Sequence, residues 1–339
     1  MEQQLVDSFG RKHDYLRVSV TDRCDLRCVY CMGPEGVKLL KHSQILSYEE
    51  IISIIKAGVA LGISKIRLTG GEPLTRKGIE TLVAKIAAIP GIDDLSMTTN
   101  GQRLPELCAS LKKAGLKRVN ISLDSLKAQV YKEITRGGDL KKTLLAIRTA
   151  LDLGLAPVKV NVVLMKGIND VETRDFLRLA YEYPVHLRFI EYMPVDTHDA
   201  LWQVRYLPLA FVLEEAVALG TPLTEIDKPG GCGPATMYRL PGALGSVGLI
   251  RPISGHFCNT CNRLRLTADG FIKPCLYWGE EFPVRPVIND PAALRGLLEK
   301  ALRFKRKKHE MSENAVNIQD SGQPLMEGQQ LRQMSKIGG

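Results

Sequence analysis

Tyr15-Leu16-Arg17-Val18-Ser19-Val20-Thr21-Asp22-Arg23-Cys24-Asp25-Leu26-Arg27-Cys28-Val29-Tyr30-Cys31 carries a β-type run directly into a loop holding three cysteines. The run over 15–20 is the first of six, the others covering 65–69, 94–99, 118–123, 157–164 and 186–191. Between them lie amphipathic helical patterns at 47–61, 78–89, 104–114, 139–153 and 170–183. Ser47 with Glu50 forms a capping box at the start of the first helix. Strict alternation of strand and helix implies parallel strands joined by right-handed crossovers. Six such units make either a doubly wound sheet or a partial barrel, and periodicity alone does not choose.

After Pro194 the rhythm stops. A helix over 207–219 precedes Gly/Pro-rich segments with short strands at 236–240, 246–251, 263–267 and 271–274, then a last helix over 291–305. The chain reads as a core of residues 1–194, a smaller module of 195–311 packed on it, and a polar, aperiodic tail of 312–339 with the character of a mobile segment. The run Lys305-Arg306-Lys307-Lys308 closes the last helix and reads as a solvated terminus favoured by the helix dipole.

Eight cysteines in a chain with neither a signal-peptide core nor a transit-peptide pattern at its start point to metal chemistry rather than disulfides. Cys24, Cys28 and Cys31 stand as C-x3-C-x2-C. Three thiolates so spaced can wrap one face of a [4Fe–4S] cube and leave the fourth iron open. Structural zinc wants four closed ligands, and His13 and His42 are not implied by spacing. Cys258, Cys261 and Cys275 form C-x2-C-x13-C, which would be a zinc ribbon with a fourth cysteine. None follows, although His256 could complete a zinc site. Cys108 lies on an apolar helical face as a core thiol, and Cys232 has no assigned role.

The three-cysteine loop, with Tyr30 before the last cysteine, resembles the signature of the radical-SAM superfamily, and Gly70-Gly71-Glu72-Pro73 after the second strand agrees with it. The stretch Phe257 to Arg265 is similar to the C-terminal motif of the GTP 3',8-cyclase family of molybdenum-cofactor biosynthesis, as are Phe9-Gly10-Arg11, Tyr15-Leu16-Arg17 and the terminal Gly338-Gly339. Essentially the whole chain is covered. Asp25 stands where the family more often has Asn.

The resemblance implies an α/β fold, a partial six-stranded (β/α) TIM-like barrel with a smaller C-terminal module carrying a second iron–sulfur cluster. It implies two [4Fe–4S] clusters and S-adenosylmethionine (SAM), the first cluster on Cys24, Cys28 and Cys31, the second on Cys258, Cys261 and Cys275. SAM would contact Tyr30, Gly71, Ser122 and Met193. GTP would contact Arg17, Arg67, Thr98, Lys159, Arg263, Leu264 and Arg265. Arg263, Arg265, Gly338 and Gly339 would serve catalysis, the last two by threading back into the site. The implied reaction takes the ribose 3' hydrogen of GTP and closes the ring onto guanine carbon 8. A downstream cyclic pyranopterin monophosphate synthase and an electron donor such as flavodoxin or ferredoxin would be partners, and a homodimer stays open.

Arg67 and Lys159 also argue from placement. They lie on strands whose outward faces should be covered by helices, so their charges belong inside a barrel. Arg263 and Arg265, two apart on a strand, share a face. The net charge of +9 suits a nucleoside triphosphate, and basic residues are mostly dispersed, which argues against nucleic acid. No apolar run is long enough for a membrane span, so the cytoplasm is the expected compartment. Two other readings compete: a radical-SAM enzyme acting on a peptide or another nucleotide, and a zinc-stabilised nucleic-acid-binding protein.

Overall fold

A computed structural model describes residues 4–194, 202–227, 233–311 and 334–338. Cys232, Gly339 and residues 312–333 of the tail lie outside the described residues. Six parallel strands, β1 (Tyr15–Ser19), β2 (Lys65–Thr69), β3 (Asp94–Thr99), β4 (Arg118–Ser122), β5 (Lys159–Leu164) and β6 (His186–Glu191), stand side by side in chain order. Helices α1 (Tyr48–Val59), α2 (Ile79–Ala87), α3 (Leu104–Lys113), α5 (Leu140–Asp152) and α6 (Thr173–Glu182) make the crossovers. A further helix, α4 (Ala128–Thr135), interrupts the loop after β4. The alternation does not reveal it because its apolar stripe is short.

Each core strand is buried on both faces, with different chemistry on each. Leu16, Val18, Ile66 and Leu68 are fully buried in the main apolar core. Arg17, Arg67 and Thr69 alternate with them and point to the other side, into the barrel. Apolar area thus drives sheet–helix packing, at roughly 25 cal/mol per Å² removed from water, while the inward face is left polar for a site. Cys108 is a core thiol as expected, buried on α3.

The capping box forms: the Glu50 N–H donates to Ser47 Oγ at 3.1 Å and the Ser47 N–H donates to Glu50 Oε2 at 2.7 Å. Ser47→Ala should cost about 1 kcal/mol, read as a lowered denaturant midpoint with unchanged slope.

Beyond Pro194 the structure departs from a module merely packed on the core. Strands β7 (Thr224–Ile226), β8 (Thr236–Arg239), β9 (Ser246–Ile250), β10 (Arg263–Leu266), β11 (Phe271–Lys273) and β12 (Phe282–Pro283) join the same sheet. Its order is β12-β11-β10-β1-β2-β3-β4-β5-β6-β9-β8-β7. β9 pairs parallel with β6, and β10 pairs parallel with β1. Both edges of the six-strand core are therefore covered by later sequence, which satisfies their backbone groups. Helices α7 (Trp202–Arg205), α8 (Ala210–Ala218) and α9 (Pro291–Arg303) complete this region, and a single turn, α10 (Met334–Ile337), belongs to the tail. Among the described residues, no helix is long and apolar enough to cross a membrane.

Candidate active site

The loops at the C-terminal ends of the strands and the inward side chains enclose a cavity of about 320 Å³. Both cysteine groups line it: Cys24, Cys28 and Cys31 from the loop after β1, and Cys258, Cys261 and Cys275 from the segments flanking β10 and β11. Tyr30, Gly71, Ser122 and Met193 line it as well, with Arg17, Arg67, Thr98, Arg263 and Arg265.

Register explains the cations. Tyr15 lies opposite Arg263 and Arg17 opposite Arg265 on one side, and Arg17 lies opposite Arg67 on the other. Three neighbouring strands thus aim guanidiniums at one place. Burial lowers the pKa of Arg17 far below the usual arginine value, with Arg265 adding to the effect. Burial likewise brings Arg265 down to about 10, followed by repulsion from Arg263. Crowded, desolvated cations of this kind call for a polyanion. Arg67 is held by Ser96 Oγ at 3.3 Å and stacks over Tyr15 at 5.4 Å.

The cavity wall also carries buried polar atoms without a hydrogen-bond partner: Tyr15 OH, Thr98 Oγ1, Asn120 Oδ1 and Asn161 Oδ1. Buried polar groups are normally satisfied, so this wall fits a polar ligand. Asn120, Asn161, Arg188 and Asp124 were not found by motif. The signal available for them was polar residues at inward positions of strands covered outside by helices.

Two expected contacts sit elsewhere. Leu264 is buried in the outer apolar core, because it alternates with Arg263 and Arg265, so its side chain does not reach the cavity. Lys159 shares the inward face of β5 with Asn161 but is buried two residues before it, outside the cavity lining.

Gly71 is required by chain crossing. A Cβ there would lie 2.1 Å from the Arg23 carbonyl oxygen. The Gly71 and Glu72 N–H groups donate to the carbonyls of Thr21 and Arg23, both at 2.7 Å. The turn after β2 thus clamps the backbone immediately before Cys24. Glu72 accepts from Thr99 Oγ1 at 2.8 Å and from the Asn100 N–H at 2.7 Å, and burial pushes its pKa up to about 7. Asp25, in place of the commoner Asn, accepts from Asn100 Nδ2 at 2.6 Å. Tyr30 OH donates to Asp124 Oδ2 at 2.7 Å.

The cysteine environments differ. Burial pushes the Cys24 thiol up to about 12 and Cys28 well upward, so a bound cation is needed to hold them as thiolates. At Cys261 burial also opposes ionisation, but Arg263 and Lys305 overcome it and bring the thiol to about 6. Each group offers soft thiol donors facing one cavity, a set suited to iron–sulfur ligation. His256, Cys258 and His309 have ligand atoms within 4.8 Å of one another, so His309, which no motif flags, stands with the second group. A second apolar cluster including Met165, Tyr192, Trp202, Tyr277 and Met311, with Val29, Tyr30, Met193 and Cys275 packed against it, rims both groups.

Gly338 lies inside the barrel. The Arg265 guanidinium donates to its carbonyl at 2.5 Å, and Ile337 before it is fully buried. Its φ is +75°, and a Cβ would stand 2.2 Å from Thr69 Oγ1.

A parallel β/α barrel with a three-cysteine loop after its first strand defines a radical-SAM protein, and residues 18–180 match the radical SAM superfamily. Residues 185–311 match the family described as Molybdenum Cofactor Synthesis C. The chain belongs to the GTP 3',8-cyclase family. It is 50% identical over 340 residues to the GTP 3',8-cyclase of Listeria monocytogenes, covering 99% of this chain and 100% of that protein. With the GTP 3',8-cyclase of Pelotomaculum thermopropionicum it shares 47% over 338 residues, covering 99% and 100%. Among solved structures, Streptococcus suis SuiB bound to S-adenosylmethionine shares the fold, with a TM-score of 0.54 at 14% identity over 79% of this chain and 60% of that one. As a radical-SAM enzyme, the chain uses SAM and [4Fe–4S] clusters.

Proposed function

We propose that this chain converts GTP to (8S)-3',8-cyclo-7,8-dihydroguanosine 5'-triphosphate within its barrel cavity, the first step of molybdopterin biosynthesis. The observation that carries this reading is the joining, in one cavity, of two cysteine groups by a bank of guanidiniums. Cys24, Cys28 and Cys31 hold the first [4Fe–4S] cluster, and Cys258, Cys261 and Cys275 the second. When bound and reduced, the first cluster with SAM supplies a 5'-deoxyadenosyl radical able to remove the ribose 3' hydrogen.

The protein's part is binding and aim. Tyr30, Gly71, Ser122 and Met193 hold SAM, with the Gly71 turn fixing the backbone that leads into Cys24. Arg17, Arg67, Arg263 and Arg265 take the triphosphate, offering planar, paired donors. Thr98 offers its hydroxyl to the nucleotide. Lys159 adds charge from beneath, and Leu264 contributes through its main chain and by spacing the two arginines. The apolar rim keeps water from the reacting carbon. Arg265 also holds the Gly338 carbonyl, which draws Gly338 toward the site. Residues 1–194 form the radical-generating core, which also offers Arg17, Arg67 and Thr98 to the nucleotide, 195–311 the module with the second cluster and 312–339 the tail. The reading places the chain in the cytoplasm, with an electron donor such as flavodoxin or ferredoxin and a downstream cyclic pyranopterin monophosphate synthase as partners, and leaves a homodimer open.

Anaerobic incubation with dithionite, SAM and GTP tests it. The expected products are 5'-deoxyadenosine and a compound convertible to a pterin, with ATP giving no such compound. A reconstituted chain should carry about eight irons, as two cubes require. Absence of both products sinks the cyclase reading. Stoichiometric zinc without iron would favour a single-ion centre at His256, Cys258 and His309 instead.

A further inference from the structure

Lys305, one residue past the C-cap of α9, is 4% exposed, unlike Arg306, Lys307 and Lys308, which are exposed. The solvated-terminus reading of that basic run therefore fails for Lys305. Its ammonium donates to the carbonyls of Arg263 at 2.8 Å and Pro274 at 2.5 Å. Those residues stand two positions after Cys261 and immediately before Cys275. One ammonium thus ties together the two chain segments that bring the second cysteine group into the cavity, whose wall it shares.

Two other buried cations of this region have carboxylates: Arg11, which also donates to the Cys258 carbonyl at 2.8 Å, sits 2.5 Å from Asp7, and Lys273 sits 3.2 Å from Glu281. Among the described residues, no carboxylate lies within ion-pairing distance of Lys305, and His13, one ionisable group beside it, is held neutral, mainly by burial, with a pKa of about 4. Two carbonyls satisfy two of its three N–H donors but none of its charge. A buried ammonium without an anion is costly. The thiol group whose flanking carbonyls it holds would become anionic on taking a metal, since ligation requires thiolates.

We infer that Lys305 is the counter-ion of the centre held by Cys258, Cys261 and Cys275, holding its two ligand segments together and raising its reduction potential. The inference rests on the proposed second cluster. A fixed positive charge favours the more negative, reduced state of a neighbouring cluster, and buried placement keeps water and salt from screening it. Lys305 touches neither substrate nor the reacting atoms by this account. It is a positioning residue acting through the cluster.

The test uses the full chain in a Cys24→Ala background, reconstituted anaerobically, so that the remaining iron reports the second centre alone. Redox titration followed by electron paramagnetic resonance should show a lower midpoint for Lys305→Gln than for the background, with Lys305→Arg returning toward the background value. An unchanged midpoint in an iron-replete Lys305→Gln chain overturns the inference. Should Lys305→Gln not retain iron long enough to titrate, release of iron to a chelator decides. Loss faster by roughly tenfold or more, the scale of outer-ligand effects on metal affinity, with slow release restored by Arg, supports the charge. Equal lability of the Gln and Arg chains overturns it. Failure of the Cys24→Ala background to bind any iron would instead refute the second cluster itself.

Discussion

Cys24→Ala is expected to reduce 5'-deoxyadenosine formation to background, while Cys258→Ala keeps SAM cleavage and loses cyclisation. The two cysteines share a cavity but belong to loops built on opposite ends of the sequence. At the first, the backbone before Cys24 is clamped by the Gly71 turn through two 2.7 Å hydrogen bonds, so the loop is pre-formed and the thiol supplies an anchor. On the proposed ligation, removing one of three anchors takes away about four irons and with them electron delivery to SAM. At the second, Cys258 lies beside Phe257, over whose ring Arg263 stacks at 4.9 Å, so loss of that anchor disturbs the guanidinium bank directly. Iron content, SAM cleavage and GTP affinity measured on both variants check the division of labour. Identical loss of SAM cleavage in the two would show that the groups do not act separately.

Gly338→Val should lower GTP turnover by roughly a hundredfold, the scale expected when a catalytic constellation is misplaced by an ångström. Two causes act together. Its φ of +75° lies in the left-handed region, which is strained for a β-branched residue, and the added Cβ would meet Thr69 Oγ1 at 2.2 Å. The tail would then withdraw and release Arg265 from the Gly338 carbonyl. Iron content and the midpoint of thermal unfolding should stay near those of the parent, because Gly338 belongs to no strand of the sheet. Wild-type turnover in Gly338→Val would remove the tail from the mechanism.

How much of this was legible beforehand differs by region. The six core strands were readable because each is followed by a helix with an apolar stripe and bounded by turn residues; β1 to β6 match the runs within a few residues. The cysteine groups were readable because metal ligation imposes short spacings. Thr98, Arg17, Arg67, Arg263 and Arg265 came together as expected because alternation along a strand fixes which side chains face inward. Leu264 shows the limit of that logic: a contiguous motif on a strand necessarily sends its middle residue the other way. The pairing of β9 with β6 and of β10 with β1 was not legible, since parallel partners far apart in sequence leave no local pattern. Lys305 was misread for a related reason. A basic run looks uniform, and only the path of β10 and the segment before Cys275 shows that one of its members turns inward.

The coverage of both edges of the core by late sequence carries a consequence for how the molecule is made. A chain synthesised only through residue 194 would hold six parallel strands with β1 and β6 as bare edges, and such edges recruit other chains. Completion of β9 and β10 closes those edges and, in the same event, brings the second cysteine group opposite the first. Nascent protein therefore has its longest exposure to misassembly before it can hold a nucleotide. Arg17 of β1 and Arg265 of β10 become neighbours only once the sheet is whole.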